Sequence, residues 1–293
     1  MGVAEEFLQF KNRYNIGTEL ISSVAYRYQR ITGQLNKDFR NIDSKTANSL
    51  YVGSYGRDTA AKGISDLDMA YVLPPALYAQ YDAYTSNGQS ALLQVVKNSI
   101  KKTYATSEAF GDGQVVVINF DDGLTFEVLP VFNNQGGTWT YPNANNGGSW
   151  QTCNPRAEIN AVQTRNLAVN RNLKHLCRMM RVWRDYNRVP MSGALIDTLA
   201  YQFIETWEYR DKSFLYHDFM ARDFLKYLFD QEKNKLYWRM PGSGSYVWKK
   251  GDFQSKALTD YHIAVAACGL LKDEEGSLRR TKWRSVFGPS FPS

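Results

Sequence analysis

Apolar residues return every three or four positions between residues 4 and 31. Phe7, Phe10, Tyr14, Leu20, Ile21, Val24 and Tyr28 line one side of the helix that this spacing predicts. The pattern then shortens. Ser49 to Val52 is a brief apolar run closed by Gly53-Ser54, and Met69 to Leu73 is a second one closed by Pro74-Pro75; both read as strands that end in turns. Helical spacing resumes over 76–105, with Leu92, Leu93, Val95, Val96 and Ile100 on the buried side. Val115 to Phe120 is the strongest strand signal, because its first half is β-branched throughout. Asp121-Asp122-Gly123 then turns the chain into Leu124 to Val131, which predicts a hairpin. Residues 133–156 are rich in Asn, Gly, Ser and Thr, with Trp139, Tyr141 and Trp150 among them, and read as a long loop. Beyond it the helical period holds over 158–188, 192–210 and 213–232. A Gly/Ser turn at 241–245 and the aromatic stretch Tyr246-Val247-Trp248 precede a last helix at 256–272.

This order predicts an α+β protein. A lobe with a mixed sheet, including the N-terminal helix, spans 1–155; a helical lobe spans 156–293; and a ligand cleft is expected between them.

Composition narrows the class. Hydrophobic residues make up 43% and charged ones 22%, both ordinary for a soluble globular protein. The formal net charge of +6 suits an anionic partner such as a nucleotide, although a basic protein without one is nearly as common. Cys153, Cys177 and Cys268 form no CxxC pair, so neither a disulfide framework nor a zinc site is expected, and free thiols fit a reducing cytoplasm. The acidic start MGVAEEFLQF and the absence of any apolar run near ~18 residues lead us to expect neither signal peptide nor membrane span.

The candidate chemistry sits between Tyr51 and Leu73. A strand ends in Gly53-Ser54, eleven residues follow, and Asp66 and Asp68 flank Leu67 at the start of the next strand. Strand side chains alternate, so the two acids share a face, roughly 7 Å apart. Carboxylates so close repel one another unless a cation sits between them, and Mg²⁺, which shares hard oxygen ligands with substrate phosphates, is the natural one. Two such ions would activate a hydroxyl and stabilise departing pyrophosphate. Glu127, between Phe126 and Val128, is the candidate third acid from a neighbouring strand. Gly53 allows a phosphate to approach the backbone, and Ser54 can donate to it. A lone DxD is usually a solvated strand edge and a lone GS a turn; the full set with this spacing is far more specific.

With those residues in hand, GSYGRDT, SDLDM and FEVLP together resemble the active-site signature of the DNA polymerase β-like nucleotidyltransferases. More narrowly, the chain resembles the cGAS/DncV-like family of bacterial anti-phage signalling systems, in particular the SMODS-type synthases. Leu35 to Phe39, Gly111 to Gln114, Asn154-Pro155-Arg156, Trp248 to Phe253 and Phe287-Gly288 extend the likeness along essentially the whole chain. The resemblance implies a polymerase β-like catalytic lobe, a helical lobe, two Mg²⁺ ions (or Mn²⁺ in their place) held by Asp66, Asp68 and Glu127, and substrates that are nucleoside triphosphates, ATP among them. It implies a cyclic di- or trinucleotide product that acts on a separate effector protein, with any regulatory partner unidentified. The family usually has Asp where this chain has Glu127, one methylene longer.

The helix over 166–186 carries Arg171, Lys174, Arg178 and Arg181 at steps of three and four, a cationic stripe that is either a solvated face or a grip for the triphosphate. By resemblance, Arg181 matches a phosphate-binding lysine and Ser192 a nucleotide-contacting serine. His175 reads as packing. Nothing in the spacing of the 19 tyrosines singles out a base-stacking ring. Two other readings stay open: a transferase acting on an RNA or protein acceptor, which the lack of an appended RNA-binding module disfavours, and an inactive nucleotide-binding scaffold. Without zinc-ribbon spacing, no direct DNA sensing is expected.

Overall fold

The computed structural model describes residues 2–293. Along the chain run α1 (Val3–Tyr14), α2 (Thr18–Arg40), β1 (Ser49–Tyr51), the single turn α3 (Gly53–Gly56), β2 (Asp66–Val72), α4 (Pro75–Asp82), α5 (Gly88–Lys101), β3 (Glu108–Asp112), β4 (Val115–Asn119), β5 (Thr125–Asn133), β6 (Trp139–Asn143) and β7 (Ser149–Cys153). Then come α6 (Pro155–Ala168), α7 (Asn172–Asn187), α8 (Gly193–Thr206), α9 (His217–Phe229), β8 (Tyr237–Arg239), β9 (Tyr246–Trp248), α10 (Gln254–Cys268) and α11 (Gly276–Phe287).

These elements form two compact units. One comprises residues 17–56 and 64–156; the other comprises 1–16, 57–63 and 157–293. The expected division at 155/156 therefore needs correcting: helix α1 and the segment 57–63 pack with the helical residues, not with the sheet.

In the sheet unit the strand order is β1-β2-β5-β4-β3, with β6 continuing from β5 and β7 from β6. Only β2 and β5 run parallel among these pairs; the other pairings are antiparallel. One sheet face carries Leu67, Met69, Tyr71, Val116, Ile118, Phe126 and Val128, all buried with Val24, Ile31 and Leu35 of α2 and Leu92, Val96 and Ile100 of α5. The opposite face begins with acids and becomes apolar only further along, where Ala70, Val72 and Val131 meet Trp139.

In the helical unit, Phe7 and Phe10 of α1 pack with Trp183 of α7, Trp283 and Phe287 of α11, and Phe291. A buried ion pair joins the same two ends: Arg279 donates to both Glu6 carboxylate oxygens, at 3.0 and 2.9 Å. His175 is a packing residue, as expected; its Nδ1 lies 3.1 Å from the Tyr14 hydroxyl, and its ring lies 5.5 Å from that of His217. Among the described residues no helix is long and apolar enough to cross a membrane.

Four expected elements differ. The helix predicted over 4–31 is two helices, because Asn15 and Gly17 are extended and Gly17 caps α2. The helix over 76–105 divides at Asn87, whose side chain caps α5. The helix over 158–188 breaks where Asn170 and Arg171 take left-handed φ values of 49° and 65°. The long loop at 133–156 is largely the hairpin β6–β7, whose glycines sit at its turns with positive φ while Trp139 is buried. Helix α11, with only Trp283, Val286 and Phe287 as large buried apolar side chains, was not anticipated.

Candidate active site

Strand register brings the acids together. In the parallel pair β2–β5, Asp68 lies opposite Glu127 and Asp66 opposite Thr125. Neighbouring strands lie about 4.8 Å apart, so Asp66, Asp68 and Glu127 occupy one patch of one sheet face. Their neighbours Leu67, Phe126 and Val128 point into the core on the other face, and this burial fixes the register.

The acids of the patch bear on Glu127. Burial pushes the Glu127 carboxyl above the ordinary glutamate range, and the charges of Asp68, Asp66 and Asp112 push it further in the same direction. Asp112, at the end of β3, is an acid that the sequence reading used only within the Gly111 to Gln114 likeness and not as a member of the patch. Its register two strands away, beyond Val117 and Phe110, could have been found only by knowing the strand order.

Gly53 and Ser54 are built into the same patch. The β1–β2 pairing extends one step, with the Val52 amide donating to the Asp68 carbonyl at 2.9 Å. The chain then turns into α3 with Gly53 at φ 58°, and a Cβ there would fall inside the Asp68 carboxylate. Glycine is required twice at this position, by conformation and by contact. Ser54 follows Gly53 directly within α3. On the outer edge, the Ser65 hydroxyl donates to Asp66 at 3.0 Å.

Among the described residues no group of three or more His, Cys, Asp or Glu side chains is arranged to hold a metal ion by itself. The donor set still fits a hard cation: three carboxylates repel across one patch, one of them is driven towards protonation, and Mg²⁺ commonly takes only one or two protein carboxylates alongside substrate phosphates.

The cationic stripe is a different matter. Arg171 is not on the helix; it lies at the left-handed residue before α7. Lys174 donates to Asp58 at 3.1 Å, and Arg178 binds the same carboxylate and the Ala60 carbonyl, the latter at 3.1 Å. Arg181 is buried. Its Nη1 and Nη2 donate to Asp197 at 2.6 and 3.0 Å, and Nη2 also donates to the Gly193 carbonyl at 3.2 Å. The expectation that Arg181 grips phosphate is therefore corrected: its guanidinium is committed to protein acceptors within the helical unit. Ser192 caps α8 by accepting from the Leu195 amide at 3.1 Å.

Asp197 is the centre of that cluster and was not foreseen. It is fully buried and also accepts from Arg57 Nε at 3.1 Å and the Thr59 hydroxyl at 2.8 Å. Arg57 in turn donates to Glu158, 3.0 Å away. Burial alone would raise the Asp197 carboxyl, but Arg181 and Arg57 outweigh it and hold the group down at about 2. The one available signal was an acid inside the apolar run Ala194-Leu-Ile-Asp-Thr-Leu-Ala200, which in a helix implies a buried partner.

Comparison with known proteins bears on the family and the fold. The profile of the Second Messenger Oligonucleotide or Dinucleotide Synthetase domain matches residues 1–166. No curated protein matches by sequence. Among solved structures, the fold is similar to that of CdnC from E. coli MS115-1 in its complex with HORMA-deltaN, with TM-score 0.72 and 15% identity over 99% of this chain and 98% of that one. It is also similar to CdnG from Bradyrhizobium diazoefficiens in complex with GTP, with TM-score 0.67 and 11% identity over 97% and 94% of the two chains. A third is the cyclic AMP-GMP synthase DncV from Vibrio cholerae with a linear intermediate, at TM-score 0.67 and 12% identity over 97% and 93%.

Proposed function

Because the chain belongs to the Second Messenger Oligonucleotide or Dinucleotide Synthetase family, and so is a nucleotidyltransferase that makes such messengers from nucleoside triphosphates, we propose that its product is a cyclic di- or trinucleotide made at the Asp66–Asp68–Glu127 patch. The observation that carries the reading is the register of Asp68 against Glu127 beneath the Gly53-Ser54 turn. The three carboxylates would hold Mg²⁺ or Mn²⁺, which supplies charge neutralisation for the attacking hydroxyl and the departing pyrophosphate. The chain's own contribution is positional. Backbone N–H groups and the Ser54 hydroxyl donate to phosphate oxygens where Gly53 leaves room, and the shared sheet face aligns the acids beneath them.

Cyclisation needs the same chemistry at least twice. A hydroxyl of one nucleotide attacks the α-phosphorus of another, the new P–O bond forms as the bond to pyrophosphate breaks, and the hydroxyl proton is lost. The linear intermediate then presents its own hydroxyl to its remaining triphosphate, and another pyrophosphate leaves. Ser192 remains a proposed nucleotide contact. A separate effector protein in the bacterial cytoplasm, within anti-phage defence, is the proposed target of the product.

Purified protein incubated with labelled triphosphates, divalent cation and no acceptor should yield a product that survives phosphatase, since a ring has no terminal phosphate. Asp68→Ala should abolish it while the thermal midpoint stays within a few degrees, because removing one carboxylate also relieves repulsion. Products that are entirely phosphatase-sensitive, or label found only on added RNA or protein, would sink the cyclic reading and favour transfer to an acceptor.

A further inference from the structure

Strands β8 and β9 form a two-stranded hairpin in the helical unit, with Tyr237 opposite Trp248 and Arg239 opposite Tyr246. Alternation sorts its side chains. Trp238 and Val247 point inward and are buried in the helical core. Tyr237, Tyr246 and Trp248 share the outer face and remain 40%, 51% and 58% exposed, and Leu236 beside them is 65% exposed. The three rings touch one another, with centroids 4.7 Å apart for Tyr237–Tyr246, 5.4 Å for Tyr237–Trp248 and 5.7 Å for Tyr246–Trp248. The Arg239 guanidinium lies 3.7 Å from the Tyr246 ring centre and is pinned by the Gly244 carbonyl at 2.9 Å.

An exposed aromatic triad is costly to leave in water, and its setting identifies what would cover it. Over residues 232–250 the sequence has Lys233, Lys235, Arg239, Lys249 and Lys250 against one acid, Glu232. Lys233, Lys235, Arg239 and Lys250 are exposed. A groove of about 610 Å³ runs beside the rings, lined by Lys235, Leu236, Tyr237 and Arg239, with Glu232 as its one acid. The ligand must therefore be anionic along its length and must offer flat apolar faces. A duplex fulfils only the first requirement, because its bases already stack on each other; an acidic peptide offers flat faces only at its occasional aromatic side chains, not at every unit. A single-stranded nucleic acid fulfils both.

We propose that the outer face of the β8–β9 hairpin binds single-stranded nucleic acid, stacking unpaired bases on Tyr246 and Trp248 while the surrounding lysines meet the phosphates. This is a surface of the helical unit, and its test reads binding alone. The anisotropy of a fluorescent mixed-sequence 15-nucleotide RNA should rise on titration with the intact protein. Binding should weaken roughly tenfold or more between 50 and 200 mM salt, as displaced counterions require. Trp248→Ala and Tyr246→Ala should each weaken it by roughly tenfold with an unchanged thermal midpoint, since both side chains are exposed. A Lys233→Glu, Lys235→Glu double variant should flatten the salt dependence. The proposal is overturned if the single strand does not bind, if a blunt duplex of equal length binds as well, or if Trp248→Ala leaves the affinity unchanged. It is equally overturned if Trp248→Ala abolishes self-association of the protein seen by sedimentation while RNA binding persists.

Discussion

Gly53 shows how much a single position can decide. Its φ of 58° and the place its missing Cβ would occupy both tie it to the Asp68 carboxylate. Gly53→Ala should therefore cost about 1–2 kcal/mol of backbone strain and displace either the carboxylate or the Ser54 turn. A shift near 1 Å at a reacting centre is worth on the order of a hundredfold, so kcat/KM for nucleotide joining should fall by about that factor while circular dichroism stays unchanged. A variant with near-normal rates would show that the contact is incidental. At this scale the sequence was readable where spacing alone does the work: Asp66, Asp68 and Glu127 follow from strand alternation and one pairing. It was unreadable where a partner lies far along the chain. Asp112 acts on Glu127 through strand order, and Arg181 looked like a free cation because Asp197, sixteen residues on, could not be seen beside it.

The elements were legible in type more often than in extent. Apolar period continues smoothly from α1 into α2, yet Phe7, Phe10 and Tyr14 serve the helical core while Val24 and Ile31 serve the sheet core. Periodicity reports that a face is buried, not against what. The hairpin β6–β7 was missed for the opposite reason: polar strands with glycine turns carry little alternation. Between elements, the Asp197 cluster joins α7, α8 and the segment 57–63 through two guanidinium groups and a hydroxyl. Asp197→Ala would leave Arg57 and Arg181 buried without their shared counter-charge, so the free energy of unfolding should drop by about 3–5 kcal/mol in a denaturant titration. A loss under about 1 kcal/mol would mean that the cluster contributes little to holding these elements.

For the molecule as a whole, the half-buried His175 and the buried His217 beside it set an acid limit. Burial depresses both, with the other ring adding to the effect at His175 and Lys11 at both, to about 3 and about 4. In the unfolded chain they take up protons near 6.5, so the folded state binds fewer protons below that pH. Stability is full above about 6.5 and declines as pH falls from there towards about 4. The thermal midpoint should fall across this window, and less steeply for His175→Phe; a flat profile from pH 7 to 4.5 would remove these histidines from the account. Another property belongs only to the whole: segment 57–63 lies with the helical residues, although both of its flanks lie in the sheet unit. The chain leaves the sheet unit after Gly56 and re-enters it at Ile64, inside the very stretch that carries Ser54 and Asp66. No single cut in the gene separates the two units. An exchange of one contiguous half for that of a distant relative would give Asp197 a foreign partner in place of Arg57 and Thr59, so lineages that shuffle such genes should inherit residues 57–63 and the C-terminal half from the same parent.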